Sequence, residues 1–480
     1  MHSRRKYIIG LTLIGCLAQA QEVSWVQTYE ISPHATSAFD VIHLPGQGFV
    51  VCGSALFPPD SGDFQGWVMH TDLQGNVVWS QTYGSAHAET FESVALLNNQ
   101  LWIAGHRDSA AGPDVYVWPL LCRISLTGDS LWSLTFPDWQ LGHRFHRILA
   151  TPEGNLCVTS DYPVLSELDT LGNILWSIRG PERHSGIRAL APLPEGGVVV
   201  ACNTGPIPNY WTDTTAIRVY WVNEEGIVTD SADFTDYRWN HAECILPISQ
   251  NEVIVGGFTQ PGEVFYDEYP LVFRIDRAGQ VDWQFVGNLE YIGRIVSGVQ
   301  SVNDSIWAVS YNLHSELGAR DPLLHVFDRN GNPQGLLPID ADPSGYSYDY
   351  AYATAFVEPA AIIITGASSI SSSPWKAFLA LVSSTSGTDK KWRGTQNLPV
   401  RAELNMTLSA ETAIIELPEL VQGEVSVVIY DILGRTVYQT RQLMSNTQLM
   451  SFPMRAPSGM YFVTATNAQH QWHGRAVLCR

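Results

Sequence analysis

The side chains best suited to proton transfer or to gripping an anion gather at related places along the chain. His87, His143, His146, His184 and His241 fall in the connections between two successive strand-like runs of a repeat, with Glu89, Arg144 and Arg188 in or near those connections, which would present them together at one end. Imidazole changes charge near neutral pH, and guanidinium pairs with carboxylate and phosphate oxygens. Brought together, such groups would bind a polar ligand, and His87, His143, His184 and His241 form the candidate ligand face. Solvated loop residues are the simpler reading of the same positions. Asp340, Asp342 and Asp349 around Tyr346 form a second, acidic and aromatic stretch. Its oxygen donors suit calcium or a sugar, although such loops are commonly just exposed. Calcium is the one cofactor the residues suggest. No nucleophile elbow, His-Glu-x-x-His helix, phosphate-binding glycine loop or EF-hand is present in the sequence, so no catalytic residue is assigned. Enzymatic activity is left open, with the balance against it.

These groups need elements to hold them, and composition says which kind. The 480 residues are 45% hydrophobic and carry a formal charge of -20, which disfavours nucleic acid and anionic membranes as partners. With 16 Trp, 19 Tyr, 17 Phe, 39 Gly and 27 Pro, the chain suits many short strands joined by turns. Cys52, Cys122, Cys157, Cys202, Cys244 and Cys479 show no CxxC or Cys/His ligand spacing, so they read as small buried hydrophobes rather than a zinc site or disulfides.

An internal repeat organises most of the chain. Trp25, Trp79, Trp132, Trp176, Trp283 and Trp392 recur at a period of about 50 residues, counting the last two intervals as double, over about seven units. Ahead of them lies a turn, as in Asp72-Leu-Gln-Gly75-Asn-Val-Val-Trp79, Asp169-Thr-Leu-Gly172 and Asp276-Arg-Ala-Gly279, with copies lacking the tryptophan at Asn223-Glu-Glu-Gly226 and Asp328-Arg-Asn-Gly331. An Asp that bonds nearby backbone, followed by a Gly free to take positive φ, is hairpin chemistry. Four strand-like runs fit each unit: one starting at the tryptophan, then runs of the Ser93–Leu97, Phe49–Gly53 and Trp67–His70 types. Four short antiparallel strands repeated seven times describe an all-β, about seven-bladed β-propeller over 21–392. The indoles then serve inter-blade packing rather than ligand binding.

The ends read differently. Arg4-Arg5-Lys6, an apolar stretch and Ala18-Gln19-Ala20 form a signal peptide over 1–20, while Leu13-Ile14-Gly15-Cys16 is a competing lipobox-like reading that would lipidate Cys16. No later segment is apolar for the length a transmembrane helix needs. Residues 393–403 read as a linker. Beyond it, Val425-Ser-Val-Val-Ile-Tyr430-Asp431-Ile-Leu433-Gly434-Arg435 and Pro457-Ser-Gly459-Met460-Tyr461 resemble the type A sorting domain of the type IX secretion system, over 404–480. The resemblance implies a small C-terminal β-sandwich, a sorting motif of Asp431, Leu433, Gly434, Arg435, Gly459 and Tyr461, and the type IX secretion machinery as partner. The Asp-x-x-Gly-x-x-x-Trp turn also resembles the repeats of quinoprotein propellers and of secreted propellers of Bacteroidetes-type bacteria. Lacking the adjacent cysteine pair of the quinoproteins, the chain is expected to resemble the second. The expected function is a secreted or cell-surface binding module for a protein or glycan ligand. A glycan-acting hydrolase or lyase, or a structural envelope component, is the alternative. Two carboxylates or a His/Tyr pair at one mouth of the channel would mark the enzyme.

Overall fold

The computed structural model describes residues 20–57, 64–84, 87–108, 116–137, 143–161, 164–179, 187–204, 215–237, 239–260, 268–287, 293–302, 305–312, 321–341, 347–358, 360–370, 374–385, 405–408, 412–431, 436–453, 459–466 and 471–478. Every named element among them is a β-strand, and no helix among them is long and apolar enough to cross a membrane. The signal segment with Cys16, the linker at 393–403, Trp392 and Cys479 lie outside the described residues. Two compact units divide the chain, Met1–Thr388 and Asp389–Arg480.

Seven four-stranded antiparallel sheets make the first unit a seven-bladed β-propeller. Blade 1 covers 35–83, blade 2 covers 89–135, blade 3 covers 145–179, blade 4 covers 189–234, blade 5 covers 239–286 and blade 6 covers 293–338. Blade 7 takes three strands from 347–385 and its fourth from Ala20–Tyr29, which pairs with Lys376–Thr385 and closes the ring. The first strand of each blade touches the first strands of its neighbours, so these seven line the axis. Second strands such as Leu156–Ser160 and Val198–Thr204 are buried along their whole length, as near-continuous apolar runs require. Fourth strands such as Val77–Tyr83 are mostly exposed and form the rim.

The repeat is therefore offset by one strand from the blade. The tryptophan run is not the first strand of a unit but the last: Trp79 lies opposite His70, Trp132 opposite Arg123, Trp176 opposite Glu167 and Trp283 opposite Arg274. A cyclic repeat has no intrinsic starting point, and only the hydrogen-bond partners set it. Trp25 belongs to blade 7 by the same pairing rule.

Each turn is held as its residues dictate. The Asp72 carboxylate accepts from the backbone N–H of Gln74 and of Asn76, both at 2.8 Å, and from the Asn76 side chain, also at 2.8 Å, while Gly75 takes φ +81°. Asp169 and Asp328 repeat this bonding. The bare face of the turn glycine then receives the indole of the preceding blade. Trp25 meets Gly75, Trp79 meets Gly128, Trp132 meets Gly172, Trp176 meets Gly226 and Trp283 meets Gly331, each so closely that a Cβ on the glycine would come within 2.3–3.2 Å of the ring. The Trp79 indole N–H also donates to the Leu126 carbonyl at 2.9 Å. Inter-blade packing is thus the work of these tryptophans. In blade 4 the equivalent residue is Asp230, opposite Trp221. There Arg277 from the blade 5 turn pairs with Asp230 at 3.0 Å and lies over the Trp221 ring at 5.8 Å, so an ion pair replaces the docked indole.

Cys52, Cys122, Cys157, Cys202 and Cys244 are buried in the strands, and none of them forms a disulfide. In the second unit, Thr412–Asp431 and Thr436–Pro453 form a long hairpin. Its first half carries Asn405–Leu408 and its second half carries Gly459–Thr466 followed by Gln471–Leu478. Asn405–Leu408 returns against Gln471–Leu478, around buried Ile415, Val425, Val427, Ile429, Val463 and Ala465.

Candidate functional site

Each axis-lining strand must bend as it passes from the channel mouth toward the tryptophan-docked turns, and nearly every one does so by the same device. One extra residue opposes none on the second strand: Phe39 in blade 1, Glu92 in blade 2, His146 in blade 3, Glu243 in blade 5 and Tyr352 in blade 7. Blade 6 inserts two residues between Ile295 and Gly298, and in blade 4 Arg188 stands immediately before the first paired residue, Ala189. A β-bulge re-aims the side chain at the irregular position, and bulges recur beside binding sites for that reason. In blades 1, 2, 3, 5 and 7 the device places Phe39, Glu92, His146, Glu243 and Tyr352 at one level of the inner strands.

Mutual electrostatic influence shows the convergence. Burial pushes the Glu92 carboxyl of blade 2 above the usual range, while Arg188 of blade 4 and Arg147 and Arg144 of blade 3 pull it back. Burial also raises Glu243 of blade 5, opposed chiefly by Arg188, whose Nε lies 3.9 Å from the carboxylate. Burial, then Arg188, Arg147 and Arg144, drives His146 down to about 3. Burial and then Arg144 lower His106 to about 4, and its Nδ1 lies 3.7 Å from Glu92. Tyr352 of blade 7 is raised to about 12, mainly by burial, with Glu92 among the further causes. The Phe39 and Tyr352 rings meet edge to face with centroids 5.3 Å apart. The mouth therefore has an aromatic side at blades 7 and 1 and a charged side at blades 2 to 5.

The strands behind this ring are stitched together by side chains. The Asp40 carboxylate accepts from the Ser93 hydroxyl at 2.6 Å and the Val94 N–H at 3.0 Å, and the Ser93 oxygen accepts from the Ile148 N–H at 3.2 Å. Arg147 donates to the Arg188 carbonyl at 3.2 Å and lies 3.8 Å from Asp40. Three consecutive inner strands are thus bonded across, which holds the bulged residues in place.

The four candidate histidines divide. His87 and His143 precede the inner strands of blades 2 and 3, and the His143 N–H donates to Asp161 at 2.6 Å. His184 lies outside the described residues. His241 is in the inner strand of blade 5 rather than in a connection. It stacks on Phe258 at 4.7 Å and contacts Asn203 through Nδ1 at 2.6 Å, and burial, then Arg294 and Arg188, lowers it to about 4. Arg294 lies over the opposite partner Phe258 at 4.3 Å and pairs with Glu268. Glu89 is buried in a 2.7 Å ion pair with Arg107, which is structural. Sequence reasoning missed Glu92, Glu243, Tyr352, Phe39, His106 and Arg147. The repeat did contain a signal for most of them. Phe91-Glu92-Ser93, Phe145-His146-Arg147, Ala242-Glu243-Cys244 and Ala351-Tyr352-Ala353 place an odd residue after an apolar one at one repeat position.

Of the acidic stretch, Asp340 and Asp349 are described, while Asp342 and Tyr346 lie outside the described residues. Asp321, which the sequence did not single out, joins Asp340 and Asp349 so that their oxygens lie within 4.8 Å of one another. Burial and these two like charges raise Asp321 to about 6, and Asp349 accepts the Ala341 N–H at 2.9 Å. These three carboxylates are the described residues with the geometry to share a hard cation. In the C-terminal unit, Asp431 lies directly opposite Tyr461, and Gly459 opposite Leu478. Leu433, Gly434 and Arg435 lie outside the described residues.

Residues 399–478 match the family described as the Secretion system C-terminal sorting domain. No curated protein matches the chain. Among solved structures, a catalytically inactive virginiamycin B lyase from Staphylococcus aureus with quinupristin is similar at 10% identity and TM-score 0.45, over 76% of this chain and 99% of that one. A protein of unknown function from Dyadobacter fermentans is similar at 9% identity and TM-score 0.45, over 76% and 99%. The Dos1 propeller is similar at 11% identity and TM-score 0.46, over 75% and 95%. The chain carries a secretion-system sorting tail behind a seven-bladed propeller, the organisation of a secreted protein.

Proposed function

We propose that the protein is an exported propeller that binds a glycan at the mouth of its central channel, reaching the cell surface or the medium through the periplasm under direction of its C-terminal domain. In this reading residues 1–20 are removed as a signal peptide, 21–392 form the propeller, 393–403 a linker and 404–480 the sorting unit. The observation that carries it is the set of bulges that places Phe39, Glu92, His146, Glu243 and Tyr352 at one level of the axis-lining strands, with Arg188 just ahead of the blade 4 strand. Aromatic faces on one side and fixed hydrogen-bonding groups on the other are what a sugar ring requires. The test is binding of the mature full chain to a panel of neutral and acidic polysaccharides, with Tyr352→Ala and a control at the other end of the ring, Glu153→Ala. At least a tenfold loss confined to Tyr352→Ala is expected. Binding indifferent to Tyr352→Ala, or no binding across the panel, would reject the reading.

A glycan-cleaving enzyme is the second reading. Glu92 and Glu243, two carboxyls with raised proton affinity, share Arg188 and Arg147 as neighbouring charges, and His146 and Tyr352 occupy the same bulge position on other blades, which favours the two-carboxylate or His/Tyr arrangement set out above as the enzyme's mark. Release of reducing ends or unsaturated products by the wild-type chain, lost in both Glu92→Gln and Glu243→Gln, would establish it. Absence of product with every polysaccharide that binds would dismiss it.

A further inference from the structure

Resting on the channel-mouth reading, we infer that the glycan is anionic, carrying carboxylate or sulfate groups, and that Arg144 and Arg188 are the residues that take hold of it. The chain as a whole repels anions, with a formal charge of -20. Its mouth does not follow that average. Arg144 and Arg188 stand just ahead of Phe145 and Ala189, the first paired residues of the inner strands of adjacent blades 3 and 4, and Arg147 pairs with Thr159 just after the blade 3 bulge.

Their depths decide what an incoming ligand meets. The Arg188 side chain is 55% exposed, whereas those of Glu92, Glu243 and Asp40 are 23%, 11% and 14% exposed. Arg144 is exposed too, and among the described residues its guanidinium has no ion-pair partner within 4.0 Å; its backbone N–H is fixed by Asp161 at 3.1 Å. Arg188 has only a loose contact, 3.9 Å from Glu243. Arg147, by contrast, is occupied by the Arg188 carbonyl and Asp40. The cations therefore stand outward and the carboxyls sit recessed behind them. Burial also raises the proton affinity of Glu92 and Glu243. Two outward guanidiniums offer fork-like donors matched to carboxylate and sulfate oxygens. Opposite them, Phe39 and Tyr352 offer apolar ring faces. An anion without a sugar ring would use only half of this mouth.

The experiment pairs polymers that differ in charge alone: polygalacturonate with its carboxyl-reduced form, and dextran sulfate with dextran. Binding of the mature full chain is measured by titration calorimetry at low and high salt. The expected result is at least tenfold tighter binding of one charged polymer than of its neutral twin, weakening with salt. Arg144→Gln/Arg188→Gln is expected to remove that preference, with Arg188→Lys retaining part of it and circular dichroism unchanged. Whether the carboxylated or the sulfated polymer is preferred identifies the anion. Equal binding of charged and neutral twins would overturn the inference while leaving the channel-mouth reading standing. So would charged-polymer binding that ignores both arginine substitutions, or binding of poly-glutamate in place of the glycans. No binding to any polymer would take both down.

Discussion

Burial keeps four ring histidines neutral: His106, His241 and His325 are lowered to about 4 and His146 to about 3, the last helped by Arg188, Arg147 and Arg144. In the unfolded chain each takes a proton near pH 6.5. Between that pH and about 4 the unfolded state binds more protons, so their contribution is complete above pH 6.5 and is lost as pH falls. Glu92 and Glu243 act in the opposite sense, because a raised carboxyl pKa favours the fold at low pH and costs stability as pH rises through it. Asp321, raised to about 6, and Glu358 act with these carboxyls, and His70, also lowered by burial, acts with the histidines, so the slope of Tm with pH is a balance of five imidazoles and four carboxyls. Calorimetry is expected to show Tm of His146→Gln falling less from pH 6.5 to 4.5 than that of the wild-type chain; an identical pH dependence would contradict the burial of that imidazole. Glu243→Gln is expected to raise Tm by about 1–3 °C at pH 7.5, a gain that shrinks toward pH 4. A gain independent of pH would place its origin in packing instead of charge.

At the scale of elements, the docked turn can be separated into backbone and contact contributions because the molecule supplies its own control. Gly154 and Gly226 have similar backbone, φ +87° and +78°, but a Cβ on Gly154 meets nothing within 4 Å while one on Gly226 would lie 2.4 Å from the Trp176 ring. Gly154→Ala is expected to cost about 1–2 kcal/mol for the left-handed backbone alone. Gly226→Ala must also displace the indole, and urea unfolding is expected to show a loss of about 2–4 kcal/mol. Equal losses would mean that the indole contributes nothing to the interface. This device was the most legible part of the fold, since the Asp, Gly and Trp of one repeat are local in sequence and each residue type has one geometric use there. The channel ring was far less legible. A bulge leaves the apolar pattern nearly intact, so Glu92 and Glu243 read as polar residues inside buried strands until register shows them at the bulges. His241 failed in the opposite way, reading as a loop residue when it is a paired strand residue stacked on Phe258.

The whole ring depends on a closure between chain ends. Ala20–Tyr29 supplies the rim strand of blade 7, so blade 7 joins residues about 360 positions apart. Sequence periodicity could count the units but not say which strand closes them, because Trp25 reads equally well as the start of the first unit or the end of the last. The seam itself offers a direct test. Ser24 and Ser383 hydroxyls lie 2.7 Å apart across it, where Val23 and Trp25 flank an irregularity in the ladder. That hydroxyl contact marks the pair at which a disulfide across the seam can be tested. The five buried native thiols are enclosed in strands and should stay reduced while an exposed pair oxidises. Ser24→Cys/Ser383→Cys would close a loop spanning almost the entire propeller. Loop entropy alone would give roughly 6 kcal/mol, and native strain reduces that to an expected gain of about 2–4 kcal/mol in the oxidised form. Thiol titration confirms the bond, and unfolding with and without reductant measures the gain. If this seam is where unfolding begins, the oxidised form will also unfold more slowly by at least tenfold. Equal unfolding rates in both redox states would place the first opening between other blades, where the docked indoles and the Arg277–Asp230 pair are the contacts to break.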